Sequence, residues 1–246
     1  MKLMRVASLL LWSFVFLSCS SKVDRIVDKH IAARGGYERL KAITSKRLTG
    51  TIVQGEARMP FELLAKRPNR VRLSYDYEGG TMVAAYDGTV AWVMNPALAG
   101  DQPLIIEPER AKDLIALADF DGPLLDYREK GHHLRLLKEA YIKGAKAYTI
   151  EVSLANGDVL RVYLDKKSFL ERRWDDEVLR HGALWRAETY LDDYRPEQGI
   201  MLEHYKETRL GGELDNIVIT EQVEFNLDLP DSLFSPPGTP LARTRT

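Results

Sequence analysis

The chain contains one cysteine, Cys19, so no internal disulfide can form and the fold has to be held by packing. Its most apolar stretch, Val6 to Leu17, has twelve residues, where a spanning helix needs about 20. Neither charge is in surplus: 35 Lys and Arg stand against 36 Asp and Glu, for a formal net charge of −1, which gives no reason to expect nucleic acid as a partner. There is no G-x-S-x-G, no H-E-x-x-H and no phosphate-cradling glycine loop. The expectation is a protein that is not an enzyme and uses no cofactor or metal. No Ser- or Pro-rich linker and no internal repeat divides the 246 residues, so one domain is expected.

What is present begins with an address. Lys2 and Arg5 precede the apolar run, the layout of an export signal. The run ends in Phe16-Leu17-Ser18-Cys19, which resembles the end of a bacterial lipoprotein signal: Ser18 is small, and Cys19 stands where the lipid is attached. Residues 1–18 are read as the signal and Cys19 as the lipidated first residue of a mature chain tethered to a membrane. Two or more acyl chains, at about 0.8 kcal/mol per buried CH₂, hold firmly where one does not. Ordinary cleavage after Ser20 is the alternative. By resemblance, Ser20 beside the cysteine, in place of an inner-membrane-retaining aspartate, points to the periplasmic side of the outer membrane.

Beyond the signal, Val23, Ile26, Val27, His30 and Ile31 recur at helical spacing; Gly35 and Gly36 interrupt, and Tyr37, Leu40 and Ile43 continue the stripe. From Ser45 the period changes to two. Val71, Leu73, Tyr75 and Tyr77 alternate with polar residues, as do Ile150, Val152 and Leu154, then Leu160, Val162 and Leu164, then Ile219, Val223, Phe225 and Leu227. Such strands form an antiparallel sheet with one solvated face. Asp87-Gly88 and Asn156-Gly157 are turn signals between them. A second helical segment, with Pro108 at its start and Leu114 and Ile115 on its apolar side, separates a β block at 46–106 from one at 134–228. Residues 238–246 read as a loose tail after a domain that runs from 19 to 237.

About eleven strands of about six residues make a sheet whose apolar face covers on the order of 1000 Å². Roughly 30 helical residues shield about half of that. The sheet therefore packs into a sandwich with a dry core, or curls around its helices and leaves room for an apolar guest. The placement of the helices, one at the N-terminus and one between the β blocks, favours the curled form.

The pieces "DKHIAARGGYERLKAITSKRLTGTI", "AYDGTVAWVMNP", "VYLDKKSFLERRW", "TYLDDYRPEQGI" and "ITEQVEFNLDLPDSLFSPP", in this order over residues 24–237, resemble the LolA/LolB-like outer-membrane lipoprotein-sorting family. The resemblance implies an α+β, mainly antiparallel β fold: a half-open curled barrel wrapped around an N-terminal helix, with a short inserted helix as lid. It also implies an apolar cavity that holds the acyl chains of a lipid or lipoprotein. The lining expected is Phe61, Leu63, Leu73, Tyr75, Met82, Trp92, Leu114, Ile115, Trp174 and Trp185. Binding to such a surface is set by apolar area, so chain length is expected to matter more than headgroup. The partners expected are acyl chains, the membrane and an envelope protein; a scaffold module with a filled barrel is the alternative. His132-His133 is read as a solvated turn, because neighbours on a strand face opposite ways. The acidic groups Asp175-Asp176-Glu177 and Asp192-Asp193 are read as solvated turns at strand ends.

Overall fold

The computed structural model describes residues 21–238 apart from 78, 97–99, 101 and 181, and leaves aside the side chain of Arg180. The export signal, Cys19 and most of the C-terminal tail lie outside the described residues. Helix α1 (Lys22–Ala33) starts at a capping box: the Asp24 amide donates to Ser21 Oγ at 3.3 Å, and the Ser21 amide donates back to the Asp24 carboxylate at 2.8 Å. After Gly35 and Gly36 a short α2 (Tyr37–Ala42) follows. Gly35 has a φ of +126°, and a Cβ there would lie 2.5 Å from the Gly199 carbonyl oxygen. Only glycine allows the end of α1 to sit so close to the sheet.

The strands are β1 (Ser45–Gln54), β2 (Ala57–Lys66), β3 (Arg70–Tyr77), β4 (Gly80–Tyr86), β5 (Ala91–Met94) and β6 (Leu104–Ile106) in the first block. The second block holds β7 (His133–Leu136), β8 (Ala140–Ile142), β9 (Ala145–Ser153), β10 (Val159–Asp165), β11 (Glu171–Arg180), β12 (Ala183–Glu197), β13 (Ile200–Leu210) and β14 (Glu213–Phe225). Between the blocks lies α3 (Lys112–Ala118). Three more strands are described than the eleven expected, and the surplus is short: β6, β7 and β8 have three or four residues each, too few to show an alternation in sequence.

All fourteen strands belong to one antiparallel sheet of order β6-β5-β4-β3-β2-β1-β14-β13-β12-β11-β10-β9-β7, with β8 also on β9. The first and last strands pair in the middle of the sheet, Lys46 opposite Phe225 and Ile52 opposite Val218. At this seam Gly50 is required for a different reason from Gly35: a Cβ would lie 2.0 Å from the Ile219 carbonyl oxygen, beside the irregularity between Thr49 and Gly50. The sheet does not close, so β6 and β7 are its free edges. Because they are consecutive in the chain, the segment joining them, α3 included, has to cross the opening. The result is a curled half-open barrel.

Two apolar clusters lie on the helix-covered face. Ile26 and Val27 of α1 pack with Leu124, Ile150, Val152, Val162 and Leu164. At the other end Phe61, Leu63, Ala65 and Val71 pack with Ala118 of α3, joined by Leu48, Ile52, Leu73, Tyr75 and Leu114. The opposite face of the first block is covered by the C-terminal segment, where Leu229 and Phe234 are buried against Leu64.

The acidic group at 175–177 corrects the expectation of a solvated turn. β11 runs straight through it, and Asp175 is buried at mid-strand. Its charge is matched by Arg173 at 2.7 Å and Arg186 at 3.1 Å, with the Tyr163 hydroxyl donating at 2.8 Å. Three consecutive acidic residues resemble a loop in sequence; the arginines that pair with Asp175 come from the same strand and its neighbour.

Candidate functional site

Where the two apolar clusters meet, the helix-covered face is polar. A cavity of about 40 Å³ opens there, bounded by α1, α2, the segment after α3 and strands β1, β13 and β14; its walls are His30, Ile31, Arg34, Leu40, Ile43, Lys46, Phe120, Asp121, Leu125, Ile200, Leu202 and Phe225. The charges around it form pairs. Arg34 lies 3.7 Å from Glu171, which also accepts from the Tyr194 hydroxyl at 3.3 Å. Glu203 meets Lys206 at 2.9 Å. Asp121 takes both guanidinium nitrogens of Arg67, at 2.6 and 2.7 Å, and Lys41 at 3.1 Å. Arg67 also donates to the carbonyls of Ile43 and Leu40, at 2.6 and 2.9 Å, so it ties the end of α2 to the chain just after α3.

Electrostatics follow from this enclosure. Burial would raise the Glu203 carboxyl, but Lys206 and Arg34 outweigh it and hold the group at about 2. Burial, then Glu171 and Glu203, push the Tyr194 phenol well above its usual range. Burial lowers His30 against the opposing pull of Glu171, and its Nδ1 lies 2.9 Å from the Phe169 carbonyl oxygen. Lys46 falls to about 8, through burial first and then the like charges of Lys206 and Arg34.

The expected lining residues divide among several places. Phe61 and Leu63 are buried together under α3, with Leu73, Tyr75 and Leu114 packed on them; Met82 stands opposite Tyr75 across the β3–β4 ladder, and Ile115 is half-buried on α3. Trp174 packs on the α1 cluster, with its indole nitrogen buried and without an acceptor. Trp92 is on the opposite face, where it packs with Val83 and Ala85 and donates to the Phe234 carbonyl at 2.7 Å. Trp185 stands near the tip of the β11–β12 hairpin, 45% exposed. None of the ten borders the central cavity.

The residues that do border it were only partly visible in sequence. His30 lies on the apolar stripe of α1, one turn from Ile26, and Lys46 precedes Leu48 and Ile52 on the same alternation. A charged residue in phase with an apolar face is the signal that could have found Lys46. Arg34 and Asp121 stand in segments without periodicity. Elsewhere, His132 Nδ1 accepts from the Ala155 amide at 3.2 Å while His133 is exposed. No group of three or more His, Cys, Asp or Glu among the described residues could hold a metal ion, and no described helix is long and apolar enough to cross a membrane.

This architecture is the LolA-like fold. Among solved structures, the chain is similar to a LolA superfamily protein from Nitrosomonas europaea: 14% identity, a TM-score of 0.57, and 86% of this chain against 96% of that one. An outer membrane lipoprotein-sorting protein domain, so described, from Vibrio parahaemolyticus gives 14% and 0.57 over 85% of this chain and 94% of that one. A DUF1329 family protein from Desulfovibrio piger gives 14% and 0.55 over 87% and 97%. No protein-family model matches the sequence, and no curated protein matches it.

Proposed function

We propose that this protein holds acyl chains of a lipid or lipoprotein in the cell envelope, tethered through a lipidated Cys19 to the periplasmic side of the outer membrane. The observation that carries the reading is the apolar surface of the first β block. Phe61, Leu63, Leu73 and Tyr75 are covered by a helix of seven residues with no side-chain N-cap, on which only Ala118 is fully buried. At its start α3 meets the second β block through Lys112 and Asp158, 3.5 Å apart and both exposed; such a pair contributes about 0–1 kcal/mol. At its other end Asp121 is held by Arg67 and Lys41. The helix is thus built to swing about residues 119–121 and uncover surface for a hydrocarbon chain.

A second reading, an envelope scaffold with a filled barrel, is favoured by one feature: the central cavity of about 40 Å³ is far below the roughly 300–1,000 Å³ of ligand pockets. Mass spectrometry of organic extracts from purified, detergent-free protein, with titration of a fluorescent fatty-acyl probe, separates the two. Copurified lipid and saturable probe uptake are expected. Delipidated protein that never takes up the probe would reject acyl binding. The mass of the N-terminal peptide tests the anchor at Cys19.

A further inference from the structure

Of the charges around the central cavity, one is left without a partner. Among the described residues, Arg34 has Glu171, Lys206 has Glu203, and Asp121 is claimed by both Arg67 and Lys41. Lys46 borders the cavity without a salt bridge or hydrogen bond among the described residues; its ammonium lies over the Phe120 ring, 4.7 Å from Nζ to the centroid, and Glu203 and Asp121 attract it only from longer range. The Arg34 Nε, on the same cavity, is buried and also lacks an acceptor. Both side chains are half-buried, and a cation partly withdrawn from water is less costly with a counter-charge beside it. Two cationic side chains border one small space, and the carboxylate that also lines it, Asp121, is held by Arg67 and Lys41, so the space complements an anion.

Size and surroundings select the anion. A water needs about 10–15 Å³ by this measure, so a cavity of about 40 Å³ has room for about three waters, which is enough to admit a carboxylate. The apolar row on β1 starts at the same residue: Lys46, Leu48 and Ile52 share a face, and Leu48 and Ile52 join the cluster under α3. Six residues of strand span about 20 Å, against about 15 Å for the hydrocarbon of one bilayer leaflet, half of about 30 Å. Phe120 both lines the cavity and packs on that cluster, so the two are continuous.

We infer that Lys46 and Arg34 form a carboxylate site at the end of the apolar row beneath α3, and that the preferred ligand is an unesterified fatty acid, bound by its head there and by its chain along β1 and β2. The inference rests on the acyl-binding reading for the chain, but the head site can be tested without it. It also replaces the expectation that headgroup matters little.

The test is calorimetric titration of the purified protein at pH 7 with decanoate, decanol and propionate, repeated on Lys46→Met and Lys46→Arg. A charge-assisted hydrogen bond contributes about 1.5–3 kcal/mol, so decanoate should bind at least about tenfold more tightly than decanol. Lys46→Met should remove that preference and Lys46→Arg should keep it. Equal binding of decanoate and decanol would overturn the carboxylate site and leave acyl binding standing. Propionate bound in a Lys46-dependent way, with neither ten-carbon probe bound, would support the head site and overturn the acyl reading. Binding of none of the three overturns both. Should Lys46→Met fail to fold, the wild-type preference measured between pH 7 and pH 9 decides. It should fall as Lys46 loses its proton near 8, and a preference constant over that interval would overturn the role of Lys46.

Discussion

The two helical covers of the sheet are built to different standards. α1 has twelve residues, a reciprocal cap, and Ile26, Val27 and His30 buried; its Asp24 also accepts from the Tyr127 hydroxyl at 2.6 Å and pairs with Arg128 at 2.8 Å. α3 has seven residues and no side-chain cap, leaves Leu117 exposed, and reaches the far side of the opening through the Lys112–Asp158 pair. One cover is part of the core and the other rests on it. The difference bears on local stability: the number of buried side chains and the satisfaction of its terminal amides set the cost of opening a helix.

Matched truncations should give the largest separation. Ile26→Ala is expected to destabilise the protein by about 2–5 kcal/mol, because a fully enclosed side chain leaves a cavity. Leu114→Ala, on a half-buried position, should cost about 1–2 kcal/mol by lost apolar area. Denaturant unfolding measures both, and equal losses would erase the distinction between core helix and lid. Next in size is the seam that joins the two halves. Gly50→Ala places a methyl group against the Ile219 carbonyl and should cost about 1–3 kcal/mol; an unchanged denaturation midpoint would mean that the β1–β14 contact is looser than its geometry implies.

A pH series sharpens the comparison on the α1 side. His30 has a folded pKa below its unfolded value of 6.5. The unfolded chain therefore binds the proton first, and stability present above pH 6.5 is lost as pH falls towards the folded pKa. His30→Gln should flatten that slope between pH 6.5 and pH 5, and a wild-type slope in the variant would assign it to another group. The smallest effect on stability is expected at the lid: Lys112→Ala should change unfolding by no more than about 0.5 kcal/mol yet speed amide exchange in 112–118. Unchanged exchange would show that the pair is not what holds the start of α3.

The legible parts of the fold were those with long runs in one period. The alternation in β3, β9 and β10 and the stripe at 23–31 told where apolar faces lie; in β14 the irregularity opposite Thr49 and Gly50 shifts the phase, so Val218 packs inward opposite Ile52 and Ile219 is exposed. Three-residue strands such as β8 carry no period, and Asp175 could not be placed because its partners Arg173, Arg186 and Tyr163 assemble only once β10, β11 and β12 are paired. The site was legible in halves. Phe61, Leu63, Leu73, Tyr75 and Leu114 are apolar in phase with their elements and do gather. Trp92 is equally apolar, but the strand's other face is buried too, under the C-terminal segment, and pattern alone does not say which of two buried faces looks inward.

Sequence by itself determined that this chain forms an antiparallel sheet with one apolar face, because alternation depends only on the geometry of an extended backbone. Which charges meet was left to the tertiary structure. Lys46 and Arg34 are separated by a turn and a helix in the chain, and they share a cavity only because β1 pairs with β14 and α1 is pinned by Gly35 against the β12–β13 hairpin.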